Sequence, residues 1–298
     1  MMTQIHSPPD ALSFSDKARA YVELTKPRAL LMIVFTSAVS YLIAATRAID
    51  PIHLALTAFG IAVAGGGSLA LNQYMERELD SQMARTATRP IPSGRLSPTE
   101  AAIFSWTTML FGYAFLWVFV NPLCSIATMA CGVSYNFMYT PMKRTSSFSS
   151  WVGAVPGGML PIMGWVAVRN QLEMGAWVLF SILILWQIPH ALIISIRHQK
   201  DYAAVGMKQL PLIAPYLTSA RQMVVNVLIL VPISVMPFFL NMTELVYPMT
   251  ALVLGFGLYV LVVRYAFNPR EHNAKWVFIA LNAYLPLLFL AMYFDRPS

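Results

Sequence analysis

Long apolar runs separated by short polar stretches make up almost the whole chain. The runs have roughly 17–25 residues each, which is the length that an α-helix needs to cross a bilayer. Their positions predict nine membrane-spanning helices, over residues 29–46, 52–73, 101–120, 122–140, 148–168, 174–196, 222–242, 246–265 and 276–294. The pattern therefore indicates an all-α, polytopic membrane protein embedded in a lipid bilayer.

Composition supports the same fold class. Of the 298 residues, 57% are hydrophobic and 11% are charged, and the mean hydropathy is +0.60. These values exclude an ordinary soluble globular protein. Because no hydrophilic stretch is long enough for a soluble domain, we expect a cytoplasmic tail over residues 1–25 and one membrane domain over residues 26–295.

The distribution of basic residues predicts how the chain is oriented. The sequence contains 20 Lys and Arg residues, and all but three fall on the side of the predicted bundle that holds the N-terminus. The exceptions are Arg47, Arg169 and Arg296. Because cytoplasmic loops carry an excess of positive charge, we predict a cytoplasmic N-terminus and a C-terminus outside. This topology explains the basic loops without a nucleic-acid partner.

Three oxygen-bearing side chains follow one another where the second predicted span ends. Asn72, Glu76 and Asp80 are spaced i, i+4 and i+8, which places them along one face of a helix. Like charges at i and i+4 repel each other, whereas a cation between them would be bound. Such ligands suit Mg²⁺, which shares its remaining positions with phosphate oxygens. The alternative is a solvated, charged helix end.

Basic residues that suit a polyphosphate follow this motif. Arg85 and Arg89 lie directly downstream of it, and the pair Lys143-Arg144 follows the fourth span on the same predicted side. Arginine binds phosphate through parallel hydrogen bonds. The pair after the fourth span is also typical of a simple topology anchor, and the sequence leaves both interpretations open.

Two further polar features lie in and after the sixth predicted span. Asp201 is the only acid of the loop that follows this span, and Arg197 and Lys200 flank it. It would bind a second Mg²⁺ or stabilise the first site through one of these bases, unless the group is an ordinary interfacial charge cluster. His190 lies inside the span, where an ionisable residue is costly. It would be a hydrogen-bonded core residue, a base or a ligand to a metal-bearing substrate.

Acids, bases and apolar spans together indicate an amphipathic substrate. Its phosphate or diphosphate head would lie at the cytoplasmic surface and its hydrocarbon tail within the bundle. The chemistry that these groups favour is departure of a diphosphate, with Mg²⁺ and arginines stabilising the negative charge of the leaving group. A dry cavity would protect the resulting allylic carbocation from water until an acceptor attacks.

Several segments resemble signature sequences of the UbiA-type intramembrane prenyltransferases. Asn72-x3-Glu76-x3-Asp80, followed by Met83-x-Arg85-Thr86-x2-Arg89-Pro90, resembles the first aspartate-rich motif of that superfamily. Four segments resemble, more narrowly, the branch that farnesylates haem: Tyr139-Thr140-Pro141-Met-Lys143-Arg144-Thr145, Gly157-Gly158-x2-Pro161-x2-Gly164-Trp165-x-Ala167, Trp186-x2-Pro189-His190 and Asp201-Tyr202-Ala203. The resemblance covers roughly residues 20–290.

The resemblance implies a fold, a reaction and a set of site residues. The fold is a ring of nine transmembrane helices around a central cavity, capped by cytoplasmic loops and helices, in a bacterial inner membrane. The reaction is transfer of a farnesyl group from farnesyl diphosphate to a vinyl group of haem B, giving haem O. The expected catalytic and Mg²⁺-binding residues are Asn72, Glu76, Asp80 and Asp201. The expected substrate-binding residues are Arg85, Arg89, Tyr139, Lys143, Arg144, Lys200, His190 and Trp165.

Two other functions compete with this one. The first keeps prenyl transfer but changes the acceptor to an aromatic compound or a quinone precursor. The second is a transporter of an anionic lipid-like solute, whose acids should lie near the bilayer midplane in broken helices. A haem-modifying enzyme of this kind would have a haem A synthase or an oxidase assembly factor as its expected protein partner.

Overall fold

The computed structural model describes residues 13–45 and 49–297, and all regular elements within these ranges are helical. The helices are α1 Phe14–Leu24, α2 Pro27–Ala44, α3 Pro51–Asp80, α4 Pro98–Phe119, α5 Pro122–Val133, a π-helix Ser134–Tyr139, α6 Thr140–Thr145, α7 Ser149–Arg169, α8 Met174–Arg197, α9 Gln199–Ala204, α10 Leu210–Ile213, α11 Tyr216–Phe239, α12 Val246–Phe267 and α13 Glu271–Phe294.

The predicted fold class is confirmed. Eight helices in the described ranges are long and apolar enough to cross a membrane, namely α2, α3, α4, α7, α8, α11, α12 and α13. The fourth predicted span, 122–140, differs from the others because its α-helix ends at Val133 and a π-helix continues it to Tyr139. This composite segment takes the ninth place in the bundle. Many large apolar side chains of the spans are exposed on the outer surface, as lipid contact requires.

Local sequence determines where several spans begin. Helices α2, α3, α4 and α5 each start with a proline, which suits the first helical position because its missing N–H would be unpaired there. Asp50 caps α3, and Ser97 with Glu100 forms a capping box on α4. Asn121 caps α5 and also donates to the Val166 and Ala167 carbonyls, so it joins α5 to α7.

Helix α7 packs against α2, α5 and α8. A side chain at Gly164 would collide with the backbone carbonyl of Ser37, so the two helices α2 and α7 meet backbone to backbone. Ser37 and Ser40 donate from α2 to the carbonyls of Leu160 and Pro161, at 2.9 and 2.7 Å. The glycine and the two serines therefore hold α7 close to α2 along one wall of the interior.

Two loops cover the end of the bundle at which the acidic motif lies. We define the cap as residues 81–97 together with residues 198–215. A small apolar cluster joins its two halves, with Met83 from the first and Tyr202 and Met207 from the second. Helix α1 packs onto the first half through buried Ala20 and Leu24. The cap is therefore tied to the membrane helices and to the N-terminal segment.

The structure separates the two ends of the bundle by charge. Helices α2 and α7 both begin beside the acidic motif, and Arg296 donates to the carbonyl of Leu42 at the far end of α2. Arg169 pairs with Glu173 at the far end of α7. Both arginines thus lie opposite the motif, as the charge distribution predicts. Arg47 and residues 1–12 of the predicted tail lie outside the described residues.

Candidate functional site

A cavity of about 500 Å³ opens between α2, α3, the π-helix segment, α7, α8 and α13 beneath the cap. Charged and amide side chains of α3, the cap and α6 line its mouth, including Glu76 and Lys143. Its deeper part is lined by apolar side chains such as Ile61, Met163 and Phe289. One continuous space therefore offers a polar end and a hydrocarbon end.

The three motif residues of α3 line the polar end together. Asn72, Glu76 and Asp80 are all buried, with relative exposures of 0%, 8% and 1%. Glu78, on the other side of the helix, is exposed and pairs with Arg77 at 3.4 Å. As the helical spacing predicts, Glu76 faces the cavity, whereas Glu78, two residues later, faces solvent.

Each of the three motif side chains contacts a basic side chain in the structure. These contacts bridge α3 to three other segments: the start of α2, α6 and the cap. The three pairs are Lys26 Nζ with Asn72 Oδ1 at 2.6 Å, Lys143 Nζ with Glu76 Oε1 at 2.5 Å, and Arg89 Nη1 with Asp80 Oδ2 at 2.5 Å. The side chains that the sequence assigns to a metal therefore contact basic side chains, of which the sequence assigns Lys143 and Arg89 to a diphosphate.

The π-helix segment helps to orient this cluster. The backbone N–H of Thr140 donates to the carbonyl of Tyr135, five residues earlier, and the Thr140 hydroxyl donates to the same carbonyl at 2.8 Å. The Asn72 amide in turn donates to that hydroxyl at 2.9 Å. Both ends of the Asn72 side chain are thus fixed. Such π-helical turns are frequent at functional sites.

Burial and neighbouring charges shift the two lysines at the mouth in opposite directions. Burial lowers the pKa of Lys26 to about 7, and the nearby Arg89 acts in the same direction. Burial also opposes the charge of Lys143, but Glu76, Tyr139 and Tyr135 together outweigh it and raise the pKa of Lys143 above its ordinary value. The site therefore favours the charged form of Lys143, whereas burial favours the neutral form of Lys26.

Arg85 connects the cavity to the second half of the cap. It lines the cavity, and its Nη2 donates to the Tyr202 hydroxyl at 2.9 Å. Its Nε lies 4.0 Å from Asp201 Oδ2, and Asp201 also approaches His198 Nδ1 at 3.9 Å. Asp201 thus approaches Arg85 of the first half of the cap, whereas the sequence suggested that it stabilises the first site through Lys200 or Arg197.

His190 and Tyr139 also line the cavity. The His190 ring lies between those of Trp186 and Phe278, at centroid distances of 4.5 and 6.0 Å and interplanar angles of 19° and 18°. Tyr139 lies under Lys143, whose Nζ is 4.9 Å from the ring centroid. The structure therefore brings eight expected site residues to one cavity, namely Asn72, Glu76, Asp80, Arg85, Arg89, Tyr139, Lys143 and His190.

Four expected site residues do not line the cavity in the described part of the chain, namely Arg144, Lys200, Asp201 and Trp165. Arg144 and Lys200 are exposed to solvent. Trp165 packs on Gly175 and donates its Nε1–H to Glu173 at 3.0 Å, near the end of the bundle opposite the motif. Its position indicates a role in packing the α7–α8 connection.

Sequence reasoning missed Lys26 and Tyr202 as parts of the site. Lys26 immediately precedes the proline that starts α2 and has a left-handed backbone with φ of 50°. A non-glycine residue in this conformation is strained, and such strain concentrates at functional positions. A lysine directly before a span-initiating proline was the available signal, although it is also an ordinary topology anchor.

The donor set at the mouth fits Mg²⁺. Within the described residues, no group of three or more His, Cys, Asp and Glu side chains could enclose a metal ion. The oxygen donors at the mouth are the carboxylates of Glu76 and Asp80 and the amide oxygen of Asn72. Mg²⁺ is commonly bound in this way, through one or two carboxylates with its other positions filled by water and substrate phosphates.

Comparison with known proteins identifies the family. Residues 33–283 match the UbiA prenyltransferase family. A protoheme IX farnesyltransferase of Solibacter usitatus is 39% identical over 94% of this chain and 99% of its own length. A second, from Opitutus terrae, is 36% identical over 97% of each chain.

Solved structures show the same fold. A digeranylgeranylglyceryl phosphate synthase superposes with a TM-score of 0.79 at 18% identity, covering 94% of this chain and 98% of that one. A UbiA homologue from Archaeoglobus fulgidus bound to GPP and Mg²⁺ has a TM-score of 0.65 at 15% identity, covering 92% and 99%. At these identities the likeness concerns the fold alone.

Membership of this family identifies the protein as an enzyme and not as a transporter. The geometry agrees, because Glu76 and Asp80 lie at the end of one continuous helix rather than in broken helices at the bilayer midplane. The chain belongs to the UbiA prenyltransferase family and is an integral membrane transferase that moves a prenyl group.

Proposed function

We propose that this enzyme transfers a farnesyl group from farnesyl diphosphate to a vinyl group of haem B, with the assistance of Mg²⁺, and so makes haem O. Near-full-length similarity to relatives named protoheme IX farnesyltransferase supports the choice of donor and acceptor. The single observation that carries the proposal is the cavity itself, whose polar mouth continues directly into an apolar interior.

The two ends of the cavity match the two ends of a prenyl diphosphate. The diphosphate would lie at the mouth, where Asn72, Glu76 and Asp80 would hold Mg²⁺ and where Lys26, Arg89 and Lys143 offer cationic donors. The hydrocarbon chain would extend among the apolar side chains below. Burial of this chain contributes binding energy at roughly 25 cal/mol per Å² of apolar surface.

The basic side chains perform the electrostatic part of the reaction. When the carbon–oxygen bond to the diphosphate breaks, the bonding pair remains on the leaving oxygen and an allylic carbocation is left. Bound Mg²⁺ would neutralise part of the charge on the leaving group. Arg89, Lys143 and Arg85 are placed around the same point, where they stabilise the developing negative charge without having to reorganise.

The interior then has to keep water away from the cation and present the acceptor. The apolar walls exclude water, and Tyr139 presents an aromatic ring beneath Lys143 at the boundary between the two ends. On the α7 side, Gly153, Pro156 and Gly157 line the cavity, with the Tyr139 ring packed on Gly153 and Gln187 against Gly157. The porphyrin would lie in the deeper part, with His190 on the neighbouring helix.

Mass spectrometry of extracted haems tests the proposal. Purified protein is incubated with haem B, farnesyl diphosphate and Mg²⁺, and a parallel sample contains EDTA. The farnesyl cation would add to the vinyl group, and water would capture the resulting cation with release of a proton. We therefore expect a mass gain of one farnesyl group plus one hydroxyl group, and no gain in the sample with EDTA. If folded protein binds farnesyl diphosphate but forms no haem product, the acceptor is instead an aromatic compound or a quinone precursor.

We also propose the topology and the setting of the enzyme. The motif end of the bundle would face the cytoplasm of a bacterial inner membrane, with the C-terminus outside, because the basic residues concentrate at that end. The membrane domain would begin near residue 26, and a haem A synthase or an oxidase assembly factor would receive the product. Single cysteines introduced at Lys208 and at Asn170 should be labelled from opposite sides of sealed vesicles.

A further inference from the structure

His190 has an unusual hydrogen-bonding state for a histidine inside a membrane span. Its Nδ1 is fully enclosed and has no hydrogen-bond partner among the residues that the structure describes. Buried polar atoms are almost always paired, so an unpaired one calls for an explanation. Because the ring is only partly buried and lines the cavity, Nε2 is the nitrogen left on the cavity side.

The neighbouring side chains fix the orientation of the His190 ring but do not stabilise its protonated form. Trp186 and Phe278 stack on its two faces at nearly parallel angles, and the Trp186 indole is itself fixed by a 2.7 Å hydrogen bond to the Leu281 carbonyl. None of the ion pairs among the described residues includes His190. The ring is therefore held rigidly, and a neutral imidazole is the form that this apolar environment favours.

We propose that His190 Nε2 binds the iron of the porphyrin acceptor as an axial ligand. This inference rests on the proposed function, because it requires a metalloporphyrin in the cavity. Ligation through Nε2 requires the neutral tautomer whose proton is on the enclosed Nδ1, because the Nε2 lone pair is then free for the iron. Imidazole nitrogen is a common ligand of haem iron.

The missing partner on Nδ1 has a further consequence for this bond. Histidine ligands of resident metals usually donate their second N–H to an acceptor, which increases the basicity of the ligating nitrogen. His190 lacks such an acceptor among the described residues, so its bond to iron is weaker than in a haem protein. A weak bond suits a haem that enters as a substrate and has to leave as a product.

Spectroscopic titration with two porphyrins tests the assignment. Wild-type protein, His190→Ala and His272→Ala are titrated with ferric haem B and with metal-free protoporphyrin IX. His272 is the matched control because it is an exposed histidine at the start of α13, outside the cavity lining. Binding of a farnesyl diphosphate analogue to each variant verifies that the donor site is folded.

We expect His190→Ala to weaken haem binding by on the order of tenfold or more and to lose the imidazole-ligated absorption spectrum, which added imidazole should restore. Metal-free protoporphyrin IX should bind all three proteins equally. If His190→Ala binds haem with unchanged affinity and spectrum while the wild type still farnesylates haem, the axial-ligand inference is wrong and the proposed function stands. Failure of the wild type to bind or farnesylate haem would overturn the proposed function as well.

Discussion

At the scale of single residues, Asp80 is the carboxylate whose charge matters most directly to the proposed reaction. It is buried, lines the cavity mouth and pairs with Arg89 at 2.5 Å. Asp80→Asn keeps the shape of the side chain but removes the charge that opposes a cation. We expect kcat/KM to fall by about 10²–10³-fold, the usual loss when one electrostatic contact of a transition state is removed.

Glu78→Gln is the matched control for this change. Glu78 lies in the same stretch of sequence, but it is exposed and, among the described residues, forms an ion pair with Arg77. Exposed pairs contribute little to stability. Steady-state kinetics and thermal unfolding in detergent should show a loss of activity in Asp80→Asn alone, with both variants folded. Near-normal activity of Asp80→Asn would contradict the assignment of this carboxylate to the metal.

The pairing of Lys143 with Glu76 leads to a second prediction at this scale. Without substrate, basic side chains contact the side chains that we propose as Mg²⁺ ligands, so Mg²⁺ should bind weakly on its own. A diphosphate analogue would draw the cations to its own oxygens and release the carboxylates. We expect Mg²⁺ and the analogue to strengthen each other's binding by about 5–150-fold, as measured by calorimetry in both orders of addition.

The variant Lys143→Met tests whether Lys143 moves from Glu76 to the diphosphate, as opposed to simple attraction between Mg²⁺ and the diphosphate. It leaves Glu76 buried without its 2.5 Å partner, so Mg²⁺ alone should bind more tightly than to the wild type while the mutual strengthening decreases. If Mg²⁺ affinity is the same with and without the analogue in the wild type, the exchange does not occur.

At the scale of helices, the contact between α2 and α7 depends on the absence of a side chain at Gly164. A methyl group there would collide with the Ser37 backbone, which has no freedom to move inside a helix. We expect Gly164→Ala to destabilise the fold by about 1–3 kcal/mol, the usual cost of overpacking. Gly257→Ala is the control, because a methyl group at Gly257 meets nothing within 4 Å in the described residues. Unfolding in mixed micelles compares the two.

Helices are also the scale at which the sequence was most informative. Length and hydropathy predicted the spans, and the i, i+4, i+8 spacing predicted that Asn72, Glu76 and Asp80 share a face. The π-helix from Ser134 to Tyr139 could not be predicted, because its five-residue hydrogen bonds leave no separate signal in an apolar run. The contact of Lys26 with Asn72 also could not be predicted, because it depends on tertiary structure and joins residues 46 positions apart.

At the scale of the whole molecule, the cap is held closed by contacts between its two halves. Tyr202 is central to these contacts, because it accepts the hydrogen bond from Arg85 and packs in the apolar cluster with Met83. Removing it should loosen the cap and admit water to the cavity. We therefore expect Tyr202→Ala to raise the ratio of farnesol to prenylated product, since water would compete for the carbocation.

Product analysis by chromatography measures this ratio. Lys208→Ala is the control, because Lys208 is an exposed residue of the same half of the cap. An unchanged ratio in Tyr202→Ala, at reduced total turnover, would mean that Tyr202 acts on substrate binding rather than on the exclusion of water.

The net charge of the side chains at the mouth matches the charge of the substrate that we propose. Three cations face two carboxylates, so one positive charge is in excess, provided that Lys26 is protonated. A prenyl diphosphate carries roughly three negative charges and its Mg²⁺ complex roughly one, so the loaded site is close to neutral. Once the carbocation has been captured, the remaining diphosphate complex has roughly one more negative charge than the site balances. Charge balance therefore favours binding of the prenyl diphosphate before the reaction and release of the diphosphate after it.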